Sequence, residues 1–333
     1  MQRLYTKECN IMTDMYGKLD NYIKSINPSD PNCQYNLEDY YIKSAYNCCS
    51  GGTYKNDYVN ICNLKNVLKQ GVRGLDFEIY SVNNLPVVAT STVPSNYVKE
   101  TYNYILFSDV MNIIANYAFS TSTAPNPVDP IIFHLRIKSN NQEMYTNLAK
   151  IFEANESLFL GPEYSYENNG ENLGAAPLLS LSGKIIVIVD KVNDSFMDNK
   201  GFYEYVNMTS NSIFMRAMHY YDVKNTPDLN ELIQYNKTNM SITMPDIGAN
   251  PPNPSGIVCR ETGAQMIAMR YQKDDVNLEE NIAFFDSAGY AYVLKPANLR
   301  YIPITIPDAK PQNPALSYAS KTAVVANGST ITY

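Results

Sequence analysis

The chain has 333 residues, of which 45% are hydrophobic, enough to bury a core and to exclude global disorder. Twenty-six Lys and Arg against 33 Asp and Glu give a formal net charge of −7, which excludes a fold-wide footprint for nucleic acid or an anionic membrane. The longest aliphatic run, Ile185 to Val189, falls far short of the ~20 residues of a membrane span, and the N-terminus lacks an apolar signal core. The expectation is a protein without stable membrane insertion, intracellular rather than secreted.

Residues 1–37 read as a lead-in of mixed charge and Tyr, broken by the turn-rich Asn27–Asn32. From Tyr41 onward short β-type runs alternate with helical patterns. Leu75–Tyr80 alternates with period two, and Leu85–Thr90 follows the hairpin dipeptide Asn83-Asn84. Phe107–Phe119 carries apolar residues at helical spacing, with Ser108 as the expected N-cap. Pro130–Arg136 is a strand and Gln142–Glu153 a helix with Met144, Leu148, Ile151 and Phe152 on one side. An exposed connection over 161–176 precedes a strand at Lys184–Val189 and a helix near Asp228–Tyr235.

Ala264–Tyr271 is a further strand, Leu278–Phe285 a short helix and Tyr290–Leu294 a last strand. Apolar strands alternating with helices argue for a parallel sheet covered by helices. Over residues 38–300 this predicts an α/β fold, a distorted (β/α)8 TIM-type barrel. Residues 301–333, with Pro303, Pro307, Pro311 and Pro314 followed by two β-prone stretches, read as an extended arm. Strand addition to partner chains, or to its own barrel, is the expected means of ordering it.

The six cysteines form no Cys-x-x-Cys pair, and two histidines cannot complete a Cys/His zinc set, so reduced thiols are expected. Those two histidines, His134 and His219, limit every acid–base mechanism open to the chain. His134 is expected as a hydrogen-bonded interior residue and His219 as a surface or loop residue.

The run Gly263–Met269, then Gln272, Tyr292–Pro296 and Leu299-Arg300 resembles the closing signature of phosphoinositide-specific phospholipase C. Tyr41–Asn47, Gly71–Tyr80, Phe107–Val110 and Tyr117–Phe119 resemble segments of that family's first catalytic half. The resemblance covers roughly 38–300 and implies an X-like half over 38–155, a connection over 156–180 and a Y-like half over 181–300. It also implies a PLC-like barrel of the phosphodiesterase kind, whose members cleave a phosphodiester with two histidines and a calcium ion held by acids and an Asn.

The resemblance places Tyr46 and Thr90 where the family has its two histidines. Neither side chain replaces imidazole near neutral pH. Asn47, Asp76 and Glu78 stand at metal-ligand positions, but the fourth ligand is replaced by Arg136, a fixed cation. Ile188 and Asp190 replace phosphate-binding lysines, and Ile242 and Met244 replace headgroup-contacting residues. Residues 134 and 136 share one strand face, as do 76 and 78. If both faces point into the barrel mouth, Arg136 pairs with Asp76 and Glu78, whereas on solvent-facing rims it would not.

These substitutions imply a pseudoenzyme: no cofactor, calcium lost, and a barrel reused as a structural or interaction protein. The Asn- and Tyr-rich composition and the C-terminal arm are similar to the usage of large DNA viruses, which implies a minor virion or capsid-associated component. Its partners would then be other protein chains of an assembly, met through 301–333 and the N-terminus, with no nucleic acid. The alternatives are a phosphoinositide- or phosphodiester-binding regulatory module, or a residual phosphodiesterase using non-standard residues.

Overall fold

The computed structural model describes residues 2–93, 97–304, 308–313 and 316–333. Eight strands run parallel: β1 (Tyr40–Ala45), β2 (Gly74–Val82), β3 (Ile131–Lys138), β4 (Ile185–Asp190), β5 (Met208–Ser210), β6 (Met215–His219), β7 (Met240–Met244) and β8 (Met266–Met269). Hydrogen-bonded neighbours follow the order β5-β4-β3-β2-β1-β8-β7-β6, giving the expected α/β architecture of a nearly closed, distorted TIM-type barrel. The distortion has a covalent cause. Parallel neighbours need a crossover of about a dozen residues, yet β5 and β6 are joined by residues 211–214 alone, and the ladder ends on either side of that link.

Helices follow the other strands, and their starts are set by short polar side chains. Gln142–Glu153 begins where the Asn141 side chain accepts from the Glu143 amide, and it buries Met144, Tyr145, Leu148 and Phe152. Leu229–Thr238 and Val276–Ala288 are capped in the same way by Asp228 and Asp275.

Period-two alternation divides the strands into an outer and an inner set. Leu75, Phe77 and Ile79 of β2 and Phe133, Leu135 and Ile137 of β3 face the helices, where Phe77, Phe107 and Phe133 meet edge to face. Each such side chain contributes about 1.5–3 kcal/mol through burial. Ile132, Ile186, Ile188, Ile242 and Met266 belong to a second apolar cluster. By the same alternation Asp76, Glu78, His134, Arg136 and Lys138 share the inner face, with Arg136 and Lys138 toward the C-terminal end of β3. Full-length register puts Asp76 beside His134 and Glu78 beside Arg136.

Several sequence expectations need correction. A helix spans Gln2–Tyr16 in the stretch read only as a lead-in, and Met12 and Tyr16 enter the main core. The helix predicted over Phe107–Phe119 is α-helical to Ile113 and π-helical over Ile114–Ala118; Ser108 lies inside it, and Leu106 occupies the cap position. The 161–176 connection holds short helical turns and buries Leu173 and Gly174. The last strand, expected over Tyr290–Leu294, spans Tyr292–Leu294 and lies antiparallel to β1. Asn83 and Asn84 do take positive φ, as a tight hairpin turn demands.

Residues 1–301 form one compact unit and 302–333 another. The second holds an antiparallel hairpin, Thr322–Val324 with Thr330–Thr332, where an extended arm was expected. Pro307 and Pro314 lie outside the described residues.

The expectation of reduced thiols throughout is also overturned. Cys9 of the first helix is joined to Cys62 of the helix Ile61–Lys69, while Cys33, Cys48, Cys49 and Cys259 are free and buried. Pattern reading had no access to this pair, because the first helix was not recognised. Thiol titration in denaturant should count four groups before reduction and six after it. Cys62→Ser should lower the unfolding free energy by about 2–4 kcal/mol, since the bridge closes a long loop in the unfolded chain.

Candidate functional site

The inward faces of β2 and β3 build a buried ion cluster around Arg136. Its Nε donates to Asp76 Oδ2 at 2.9 Å and its Nη1 to Glu78 Oε1 at 2.6 Å. Nη2 donates to Asp76 Oδ1 at 2.7 Å and to Asn47 Oδ1 at 2.9 Å. The Tyr46 ring covers the guanidinium carbon at 4.5 Å. Asn47 is held at a positive φ of 45° just beyond β1, where its own amide donates to Asp76 Oδ1.

The remaining acceptor capacity is also used. Asp76 Oδ2 receives His134 Nδ1 at 2.7 Å, and Glu78 Oε2 receives the Tyr80 hydroxyl at 2.8 Å and the Ser91 amide at 3.0 Å. Burial alone would push the Asp76 carboxyl up; Arg136, with His134 assisting, holds it well below the ordinary carboxylate range. Burial would likewise lower the Arg136 pKa, but Asp76, Tyr46 and Glu78 raise it well above its usual value. Burial pushes the Tyr46 hydroxyl up, away from any role near neutrality.

A calcium ion needs six to eight oxygen ligands. Here all four carboxylate oxygens of Asp76 and Glu78 and the Asn47 carbonyl oxygen are already bonded, and the guanidinium sits among them. The residues present do not fit the ion.

A second arrangement lies beneath the first. His134 Nε2 is 2.9 Å from Ser210 Oγ, so Ser210, His134 and Asp76 form the chain of contacts used by serine nucleophiles. Both Ser210 and His134 are fully buried. Ionised Asp76 can only accept, so Nδ1 carries a hydrogen, and in the neutral imidazole Nε2 accepts from Ser210. The chain thus orients Asp76 toward Arg136 from below.

Above Arg136 opens a cleft of about 320 Å³ lined by Tyr46, Glu78, Lys138, Asp190, His219 and Asp246, among others. Met244 and Asp190 reach this cleft, whereas Ile188 and Ile242 are fully buried in the inner apolar cluster. Thr90 is buried as well, its hydroxyl donating to the Tyr54 carbonyl at 3.1 Å. His219 is not the surface or loop residue expected. It ends β6 and lines the cleft, with Nδ1 2.7 Å from the Pro245 carbonyl oxygen. Lys138 was missed although it lies two residues beyond Arg136 on the same face; burial, reinforced by Arg136, pulls its pKa down. Ser210 and Asp246 carry no sequence signal of their own.

Fold and mouth together define a (β/α)8 barrel of the PLC-like phosphodiesterase kind. Family models for the phosphatidylinositol-specific phospholipase C X domain and Y domain match residues 33–191 and 184–298. The chain belongs to the phosphatidylinositol-specific phospholipase C family. The X match runs through the connection expected over 156–180 and into β4.

Among solved structures, PLC21 of S. officinalis aligns with a TM-score of 0.63 at 18% identity, and PLC21 of L. pealei with 0.65 at 18%. Each alignment covers 81% of this chain but 38% of the PLC21 chain, so this protein spans well under half of those relatives. A calcium-dependent phosphoinositol-specific phospholipase C from Pseudomonas sp. aligns over 83% of this chain and 100% of its own, with TM-score 0.50 and 10% identity. A search of curated protein sequences gave no match.

Arg136→Met leaves two buried carboxylates without their cation and should cost about 3–5 kcal/mol at neutral pH. The folded pKa of Asp76 lies below its unfolded one, so its stabilisation is complete above about pH 4 and is lost as pH falls further. In the variant, protonation relieves the unpaired charge. The gap between wild type and Arg136→Met, measured by urea unfolding, should therefore narrow on acidification, beginning above about pH 4 as the variant's unpaired carboxyls take up protons and continuing below it as wild-type Asp76 is protonated.

Proposed function

We propose that this chain is a phospholipase C-type barrel that no longer performs calcium-dependent phosphodiester cleavage and works as a structural or interaction protein. The observation that carries the reading is the Arg136 guanidinium bonded to Asp76, Glu78 and Asn47. A covalently attached cation supplies one of the two positive charges a calcium ion would bring, and it has no open coordination position for a substrate hydroxyl. Tyr46 and Thr90, at the positions where the resemblance puts histidines, are respectively stacked on Arg136 and buried with the hydroxyl donating to the Tyr54 carbonyl. The reading therefore assigns no cofactor and no calcium.

The partners proposed are other protein chains of an assembly, met through the N-terminus and residues 301–333. Support comes from the exposed hairpin unit, where Val324, Ile331 and Tyr333 face solvent on a two-stranded ribbon too small to be stable alone. A minor virion or capsid-associated role is the specific form of the proposal, supported by the Asn- and Tyr-rich composition. Quantitative mass spectrometry of purified particles from the source would check it.

The activity test uses the full chain with phosphatidylinositol and glycerophosphodiesters at millimolar calcium. No turnover is expected, no calcium heat should appear in titration calorimetry, and a fluorophosphonate probe should leave Ser210 unlabelled. Turnover that disappears in Asn47→Ala would overturn the reading.

A further inference from the structure

Charge at the barrel mouth is distributed in a way that anion binding does not explain. Arg136 is enclosed by Asp76 and Glu78, which together outweigh it by one negative charge. Higher in the cleft, Asp190 and Asp246 stand against Lys138 alone. With His219 neutral, these groups sum to −2, and Arg270, stacked on the cleft-lining Tyr54 at 4.6 Å, leaves the mouth at −1, in a chain that is itself acidic. An anionic ligand would meet repulsion there, while a cation would not.

The free acceptors fit one kind of cation. Asp190 Oδ1 is taken by the Val192 amide at 3.1 Å and by Asn211 Nδ2 at 2.7 Å, leaving Oδ2 without a partner among the described residues. Asp246 Oδ1 is taken by the Tyr221 amide at 2.7 Å, again leaving Oδ2. His219 Nδ1 faces a carbonyl oxygen, which can only accept, so Nδ1 carries a hydrogen, and in the neutral imidazole Nε2 is an acceptor. Three acceptors, from the ends of β4 and β6 and from the loop after β7, thus line one cleft. A primary ammonium offers three donors.

The rim adds a second requirement. Val192 and Ile247 line the same cleft and are 73% and 60% exposed. Apolar side chains beside a polar cleft suit an occupant with an aliphatic stem below its charge and apolar neighbours on either side.

We infer that the barrel mouth is a receptor for a lysine side chain presented by an apolar-flanked segment of a partner protein, its ammonium held by Asp190, Asp246 and His219. This rests on the interaction-protein reading and gives the partner's chemistry. The occupant has the opposite charge to a phosphate headgroup. Lys138 narrows the choice further, because it leaves room for one added cation against two carboxylates.

The test is fluorescence anisotropy on the full chain with labelled, end-blocked Ile-Lys-Ile, Ile-Arg-Ile and Ile-Glu-Ile tripeptides, at two salt concentrations. The Lys peptide should bind most tightly and weaken with salt. Asp190→Asn and Asp246→Asn should each weaken it about tenfold. Val192→Ser and Ile247→Ser, on the exposed rim, should weaken it without changing the melting temperature. Equal binding of the Glu peptide, or unchanged binding in Asp190→Asn/Asp246→Asn with a native melting curve, would overturn the inference. So would competition by phosphatidylethanolamine vesicles matching the Lys peptide, since the amine would then be a lipid's. Failure of these arms without phospholipid turnover sinks the lysine receptor alone; turnover sinks the pseudoenzyme reading.

Discussion

Everything at the mouth of this barrel depends on one buried guanidinium. Without Arg136, Asp76 and Glu78 would be two carboxylates on neighbouring inner positions of β2, removed from water and repelling each other. Such a pair is tolerable only with a cation between them or with a proton on one member. Arg136 supplies the cation from the adjacent strand, at the register position opposite Glu78, so the pairing of charges is built into strand register. Tyr46, Asn47, Tyr80, His134 and Ser210 then arrange themselves around the three charged groups.

A tethered cation also differs from a dissolved one in what it permits. The geometry of Asp76 and Glu78 is set by a side chain of the adjacent strand, whose supply does not depend on ion concentration or chelation. Arginine gives planar, directional bonds and cannot release its proton under ordinary conditions. The cluster is therefore a fixed support for the cleft above it, and adaptable recognition falls to Asp190, His219, Asp246 and the apolar rim.

Much of this was legible in the sequence because period-two alternation carries position as well as structure. Asp76 with Glu78, and His134 with Arg136, fall on common faces by counting alone, and the apolar residues between them fix which face is inward. The helix Gln142–Glu153 and the hairpin at Asn83-Asn84 were readable for the same reason, each having a strong local signal. What escaped lies where local signals are weak. The helix Gln2–Tyr16 has no N-terminal cap signature and a mixed polar face, so its amphipathicity and its disulfide went unread. Ser210 reaches His134, and His219 and Asp246 reach the cleft, from the ends of three different strands or loops, placements that only closure of the barrel creates.

That closure is itself incomplete, and the gap has a mechanical meaning. Between Ser210 and Met215 the chain has too few residues for a covering helix, so two strand edges face each other without a ladder. Seven of the eight strand junctions resist separation through paired backbone groups, and the eighth does not. Any breathing of the cylinder is concentrated along this line, where opening costs few hydrogen bonds. Ser210 and Asn211 flank the line on one side and Ala217 and His219 on the other, so widening it would alter the mouth while the ion pair on the far wall stays clamped.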